Sequence, residues 1–556
     1  MIVVIMYITE TTRPGPNGTL YRCVLLRQSY REGKTVKNRT LANLSHCTPQ
    51  EISALRLALR HKDDLAALDS VQTALEVYEG PAVGAAWTIY QVARRLGITK
   101  ALGTDFAGKL ALWQVMARVI DQGSRLSAVR LAQTHAACEL LHFPRGFDEN
   151  DLYENLAWLA THQATIEQRL FTVRHGQRKP ALFLYDVTSS YLEGHCNALA
   201  AFGYNRDGKA GKRQVVVGLL CDDEGVPVST DVFAGNTPDL ATLAPQIRKV
   251  ARRFGCERVT FVGDRGMIKS GQVAELAHVG FHYITALTKA QIERLLQDAV
   301  FQLAWFGAHV YEVEHAGLRY ILRRNPQRAA EVDAGRQDKH QAVERLVSTQ
   351  NAYLRDHRRA QVAVALKKVQ TRLARFKIEA WLHVEAQGRV LRLVVDDAAR
   401  AETARLDGCY VLKTDLPSTV ASALVVHERY KDLALVEQAF RTCKTAHLEL
   451  RPWYVRTEAS TRGHVLVVML AYLIVRELRQ AWSHLNVTVE EGICQLAKLS
   501  ALEMSVDGQG TFCRVPKPRG MSQRLLEAAG VELPDVLPQR KVAVVTRTKL
   551  PGRRKH

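Results

Sequence analysis

The sequence predicts an α/β multidomain protein built on a mixed sheet with flanking helices. Helical periodicity dominates residues 50–175 and gives way at Pro180 to short apolar, β-compatible runs. These are Ala181–Tyr191, Gln214–Leu220, Val226–Phe233, Arg258–Met267 and Phe281–Leu287. The first three follow one another without a helix, and the later ones alternate with helical stretches. That order is the pattern of a mixed sheet covered by helices.

Taken in order, residues 1–60 form a basic β-hairpin region. The opening MIVVIMYI is apolar but short, with neither a basic start nor a small-residue cleavage site, so it reads as a strand rather than a signal peptide. Tyr21–Gln28 and Lys34–Thr40 flank the turn Arg31-Glu32-Gly33. Residues 61–178 are expected to be a helical DNA-binding or dimerisation region. Within it Trp87–Ile98 has the form of the first helix and turn of a helix-turn-helix, and the later helices can form a bundle. Residues 179–287 hold the first part of the core, with a hairpin around Asp222-Asp223-Glu224-Gly225.

Residues 288–415 read as an insertion. It holds a hairpin around Ala316-Gly317, a long charged helical stretch from about Asp338 to Phe376, and returning strands. Residues 416–500 resume the core and include an apolar run, Val465–Val475, too short to span a bilayer and expected to be a buried helix. Residues 501–556 read as a basic C-terminal tail, because 540–556 hold seven Lys/Arg and no acid.

Composition narrows the partners. The chain has 76 basic against 56 acidic residues and a formal charge of +20. Such a balance points to a polyanion, with nucleic acid foremost. The ten cysteines include no C-x-x-C pair, which argues against a zinc ribbon or a disulfide framework and suits a reducing, cytoplasmic setting. No membrane partner is expected.

Two stretches carry the chemistry. GYNRDGKAGKR is a glycine-rich loop with four cations, Arg206, Lys209, Lys212 and Arg213. YKDLALVEQAFRTCK sets Tyr430, Glu437 and Lys444 seven residues apart, a step that returns to within roughly 20° of one helix direction. Arg441 lies one turn after Glu437, and Leu433, Val436, Phe440 and Cys443 are expected to pack inward. Alone, this is also the pattern of an ordinary amphipathic helix. Asp186 and Asp264 change its meaning, because each is expected to end a buried apolar strand, where ligand sites gather. With Glu437 they make three acids on different elements, an inventory suited to holding Mg²⁺. Two such ions can clamp the attacking and leaving oxygens of a phosphoryl displacement, Mn²⁺ serving as a substitute. Tyr430, Arg441, Lys444 and the loop cations would then meet DNA phosphates.

The stretches YDVTSSYLEG, GYNRDGKAGKRQVVVGLL, VFAGNT, FVGDRGM and YKDLALVEQAFRTCK resemble bacterial insertion-sequence transposases of the DDE type. The resemblance is to the insertion-sequence-four superfamily, in the subgroup named for element sixteen-thirty-four, and runs from Arg39 to about residue 480. It implies an RNase H-like catalytic core interrupted by a mixed β/helical insertion, with Asp186, Asp264 and Glu437 as the DDE triad. It further implies binding of terminal inverted repeats and of target DNA, metal-dependent cleavage and strand transfer, and a homodimer on paired ends. The family signature around the glutamate is Tyr, two residues, Arg, three residues, Glu, six residues, Lys. Tyr430, Glu437 and Lys444 keep that spacing, while Leu433 holds the arginine position and Arg441 is the nearest substitute cation. A nuclease or resolvase that does not join strands, and an inactive DNA-binding derivative, are the alternatives.

Overall fold

The computed structural model describes residues 5–14, 20–33, 35–60, 75–194, 196–209, 211–445, 447–452, 454–506, 511–538, 542 and 544–547. It divides into two compact units. One draws on the segments 1–81, 500–517 and 533–539, and the other on 82–499, 518–532 and 540–556.

In the first unit β1 (Ile5–Pro14), β2 (Leu20–Glu32) and β3 (Thr35–Asn43) make an antiparallel sheet, in line with the expected hairpin. Gly33, at φ 65°, turns the chain between β2 and β3. The Pro49–Arg60 helix buries Ile52, and β2 buries Val24. This unit also holds β4 (Leu75–Ala82), to which the end of the chain returns below.

The second unit holds a large mixed sheet. Its first strands are β5 (Leu182–Tyr191), β6 (Gln214–Cys221), β7 (Pro227–Ala234), β8 (Thr260–Gly263) and β9 (His282–Ala286). β5, β6 and β7 pair antiparallel, whereas β8 runs parallel to β5, and β9 parallel to β8. The parallel pairs need crossovers. The Asp239–Arg248 helix with its π turn Lys249–Arg253 supplies one, and the Ser270–His278 helix the other. Phe183, Tyr185 and Val187 face a core shared with Leu243, Ile247, Phe254 and Phe261. Side chains alternate along a strand, so Leu184, Asp186 and Thr188 face the other way. That side is covered by the Leu433–Lys444 helix, which packs on β5 and β6, while the Glu458–Ala481 helix packs on β7.

Several expectations change here. The 288–415 segment does not stand apart, because β10 (Tyr311–His315), β11 (Leu318–Arg324) and β14 (Cys409–Thr414) extend the main sheet to the order β10-β11-β14-β9-β8-β5-β6-β7. The part between β11 and β14 packs on a core of its own, and β11 and β14 share another with Ile292, Phe301 and Phe306. In the first of these the Pro326–Asp356 and Val362–Phe376 helices and the hairpin of β12 (Leu382–Gln387) and β13 (Val390–Val395) gather around Val347, Val369 and Trp381. The charged helical stretch expected from about Asp338 to Phe376 is made of these two helices.

The helix-turn-helix expectation also fails. The Gly84–Arg95 helix is followed by the short Ile98–Leu102 turn and then the Phe106–Ile120 helix, in which residues 110–119 are all buried. A recognition helix must offer a face to a groove; this one offers none. It is instead the centre of a bundle with the Glu149–His175 and Glu458–Ala481 helices. The last of these is long and apolar enough to cross a membrane, but 83% of its most apolar window is buried in this bundle.

Close packing there depends on Gly463, where a Cβ would lie 2.0 Å from the Leu156 carbonyl oxygen. Gly463→Ala is therefore expected to cost ~3 kcal/mol, measured by denaturant unfolding, since neither backbone can yield cheaply. His464, beside it, is 2% exposed, so it does not touch DNA. Burial, reinforced by Arg118 and Arg125, holds its imidazole well below the usual range. The unfolded chain protonates this histidine below about pH 6.5 and the folded one does not, so stability is present above that pH and falls beneath it. Between about pH 7.5 and 5.5, wild type should lose about 1.4 kcal/mol more than His464→Phe in paired unfolding curves.

Much of the stretch from residue 501 to 537, expected within a tail, forms regular elements among the described residues. β15 (Ser500–Val506), β16 (Thr511–Arg514) and β17 (Val536–Leu537) join β4 in a four-stranded sheet, and Gly520–Ala529 is a helix. The basic stretch beyond Arg547 lies outside the described residues. Cys23, Cys47, Cys138, Cys196, Cys221, Cys256, Cys409, Cys443 and Cys494 are free thiols.

Candidate active site

Asp186 lies in the middle of β5 rather than at its end. What ends there is the neighbour. β8 pairs with Leu182–Tyr185 and stops at Gly263, so one further step of the register sets Asp186 beside Asp264. Asp186 Oδ1 accepts a hydrogen bond from Val187 N at 2.8 Å. Its carboxyl is raised to about 7, chiefly by burial, with the charges of Asp264 and Glu437 adding to the rise and Val187 N and Arg206 opposing it.

Asp264 opens the turn after β8, and its backbone carbonyl receives Met267 N at 2.9 Å. The carboxylate is half exposed and accepts from Arg265 N at 2.7 Å and from Tyr430 Oη at 3.3 Å. Burial and the Asp264 charge hold the Tyr430 phenol far above its ordinary range, so it stays a donor.

The expected single helix Tyr430–Lys444 is broken at Asp432. Tyr430 belongs to the Ala423–Lys431 helix, and Glu437, Arg441 and Lys444 to the Leu433–Lys444 helix. The first is pinned by His427, a buried residue that the sequence reading missed. Its Nε2 lies 2.5 Å from Tyr410 Oη on β14 and 2.8 Å from Arg323 Nη1 on β11. The second buries Leu433, Val436, Phe440 and Cys443, as the stripe predicts, and leaves Glu437 exposed. Leu433 is 8% exposed, so the position where the signature has arginine is a core position here. Glu437 makes no hydrogen bond or ion pair among the described residues.

The carboxylates offer only oxygen ligands, and Asp186 carries the cost of its like-charged neighbours. Both properties suit a hard divalent cation. Among the described residues no three His, Cys, Asp or Glu side chains converge into a ready-made metal cage. Asp264 and Glu437 are open side chains, and only Asp186 is constrained by burial.

The cations divide into three groups. Lys444 Nζ bonds Asp207 Oδ1 at 2.6 Å, Arg206 Nη2 reaches both Asp239 oxygens at 2.5 Å, and Lys212 pairs with Glu193 at 3.1 Å. Lys209 lies 5.8 Å over the Tyr191 ring and Arg213 5.5 Å over Phe202. Arg441 is exposed and has no partner among the described residues. The carboxylate partners Asp207 and Asp239 were not anticipated, although Asp207 stands inside the same GYNRDG loop. Arg265, 4.0 Å from Asp264, was also missed and was legible as the next residue in FVGDRGM. Arg456 is exposed, apart from this cluster, and its backbone carbonyl receives Ala198 N.

Comparison with known proteins bears on this arrangement. Residues 177–474 match the family described as the transposase DDE domain, and residues 8–71 match the IS1634 family transposase N-terminal domain. No curated protein matches. Among solved structures, a cryo-EM structure of the piggyBac transposase synaptic complex with hairpin DNA aligns over 80% of this chain and 75% of its own. Identity is 8% and the TM-score 0.34. The first family match covers more than half of the chain and spans Asp186, Asp264 and Glu437, and this protein belongs to the DDE transposases, of the IS1634 type.

Proposed function

We propose that the chain binds the terminal inverted repeats of its own insertion sequence, cleaves at the ends and joins the freed strands to target DNA. Asp186, Asp264 and Glu437 act as the DDE triad of an RNase H-like core. The observation that carries this reading is the register of β5 and β8, which sets Asp186 beside Asp264 on the sheet that the Glu437 helix covers. The sheet supports it, since three antiparallel strands followed by two parallel ones, in the order β7-β6-β5-β8-β9, agree with an RNase H-like core.

The three carboxylates would hold two Mg²⁺ ions, with Mn²⁺ as a substitute; when bound, these activate the attacking water or 3′-hydroxyl and stabilise the departing oxygen. The protein's own groups do the positioning. Tyr430 keeps its proton and fixes one Asp264 oxygen, leaving the other free. Arg441 offers a fork of donors to a phosphate one helical turn beyond Glu437. The loop cations track the backbone further along. Two ends require two active sites, so the working form is a homodimer on paired ends, acting on DNA in the cytoplasm.

The test uses purified chain, Mg²⁺ and a duplex carrying the inverted repeats that flank its gene. The expected products are 3′-ends joined to a target plasmid. Cleavage without joining would favour the solitary-nuclease reading. End binding without any cleavage would favour an inactive derivative, the reading that the buried Leu433 supports.

A further inference from the structure

Two cations, one on the Glu437 helix and one on the glycine-rich loop, are already engaged by carboxylates. Lys444 and Asp207 are separated by 237 positions yet lie 2.6 Å apart, and Arg206 grips both oxygens of Asp239. Neither pair is sealed from solvent, the side chains being 25% and 18% exposed in the first and 24% and 33% in the second. Asp207 is held from its other oxygen by Tyr191 N at 3.3 Å, at the end of the strand that carries Asp186. Its carboxylate is therefore supported whether or not Lys444 remains bound to it.

We propose that Asp207 and Asp239 are specificity-determining residues. Each carboxylate occupies a phosphate seat on a cation beside the triad, and only DNA already held by other contacts displaces it. The proposal rests on the DNA-binding reading above. A carboxylate and a phosphate present similar anionic oxygens to Lys or Arg, so one can exchange for the other. Partly exposed ion pairs are weak, which makes exchange accessible. A chain of charge +20 attracts any duplex through counterion release. Neutralising Lys444 and Arg206 removes part of that indiscriminate attraction from the helix and loop that border the triad. Arg213, which has no carboxylate partner among the described residues, is left to make the first contact.

The experiment measures binding of the full chain to a random-sequence duplex of about 30 bp in EDTA, from about 50 to 300 mM salt. Asp207→Asn keeps the oxygen facing Tyr191 but releases Lys444. It should bind roughly five- to ten-fold tighter at about 0.1 M salt, with the slope of log K against log salt steeper by about 0.9, one added phosphate contact. In a Lys444→Ala background the same substitution should change neither quantity. Asp338→Asn, an equal charge change on an exposed helix position remote in sequence, should leave the slope unchanged. Asp239→Asn, with Arg206→Ala as its background, repeats the test through an independent pair should Asp207→Asn melt early. Unchanged or weaker binding by both released variants would overturn the proposal and make the pairs permanent braces. So would an equal gain from Asp338→Asn. Failure of wild type to bind any duplex would instead overturn the DNA-binding reading itself.

Discussion

Asp186→Asn, Asp264→Asn and Glu437→Gln are each expected to lower Mg²⁺-dependent cleavage at the element's ends by at least about 10³-fold, with end binding kept within about three-fold. The amides preserve volume and remove one anionic oxygen ligand each. They also remove negative charge facing DNA, so binding has no reason to weaken. Asp186→Asn has a second consequence that does not depend on activity. The native carboxyl titrates near 7 against about 4 in an unfolded chain, so its stability contribution declines as pH rises between those values. At about pH 8 the amide should therefore stabilise the metal-free protein by about 1 kcal/mol, after discounting for partial solvent access. Mg²⁺ should raise the melting temperature of wild type and lose most of that effect in this variant. Quench-flow cleavage assays and thermal melts read these outcomes. Cleavage retained by any one variant would remove its residue from the triad.

Arg441→Ala is expected to slow cleavage and joining by about 10²-fold while leaving the affinity for ends within about three-fold. The reason is a gap and its nearest filler. Leu433 is packed against the sheet and carries no charge, Lys444 and Arg206 are engaged by Asp207 and Asp239, and Arg441 is exposed one turn from Glu437. Arg441→Lys should recover only part of the rate, because a point charge lacks the bidentate fork. Arg213→Ala, on the loop, should lower affinity and the salt slope by about one contact with a smaller change in rate. A rate loss no greater than that of Arg213→Ala would deny Arg441 this role.

The basic hairpin, the apolar strands and the inward stripe of the Leu433–Lys444 helix were legible because each is encoded by local periodicity. The Gly84–Ile98 stretch misled for the same reason. A helix, a glycine and a second helix look alike whether the second helix reads a groove or fills a bundle, and burial of residues 110–119 decides between them. The long charged stretch before Phe376 could not reveal its break at 357–361, since its charged face is continuous across it.

The sequence by itself determined the inventory: three acids on separate elements, a glycine-rich cationic loop, a spaced Tyr, Glu and Lys, and the missing arginine. These are properties of residue type and spacing, and folding does not alter them. Only the tertiary structure decided which of them act on one another. It set Asp186 in mid-strand where β8 stops, so that burial, with two distant acids adding to it, raises its carboxyl. It drew the strands of the 288–415 segment into the sheet, where Tyr410 and Arg323 pin the helix carrying Tyr430. It gave Lys444 to Asp207 across 237 positions and left Arg441 without a partner among the described residues. Charge pairing is a matter of distance through space, and no local pattern in the chain records it.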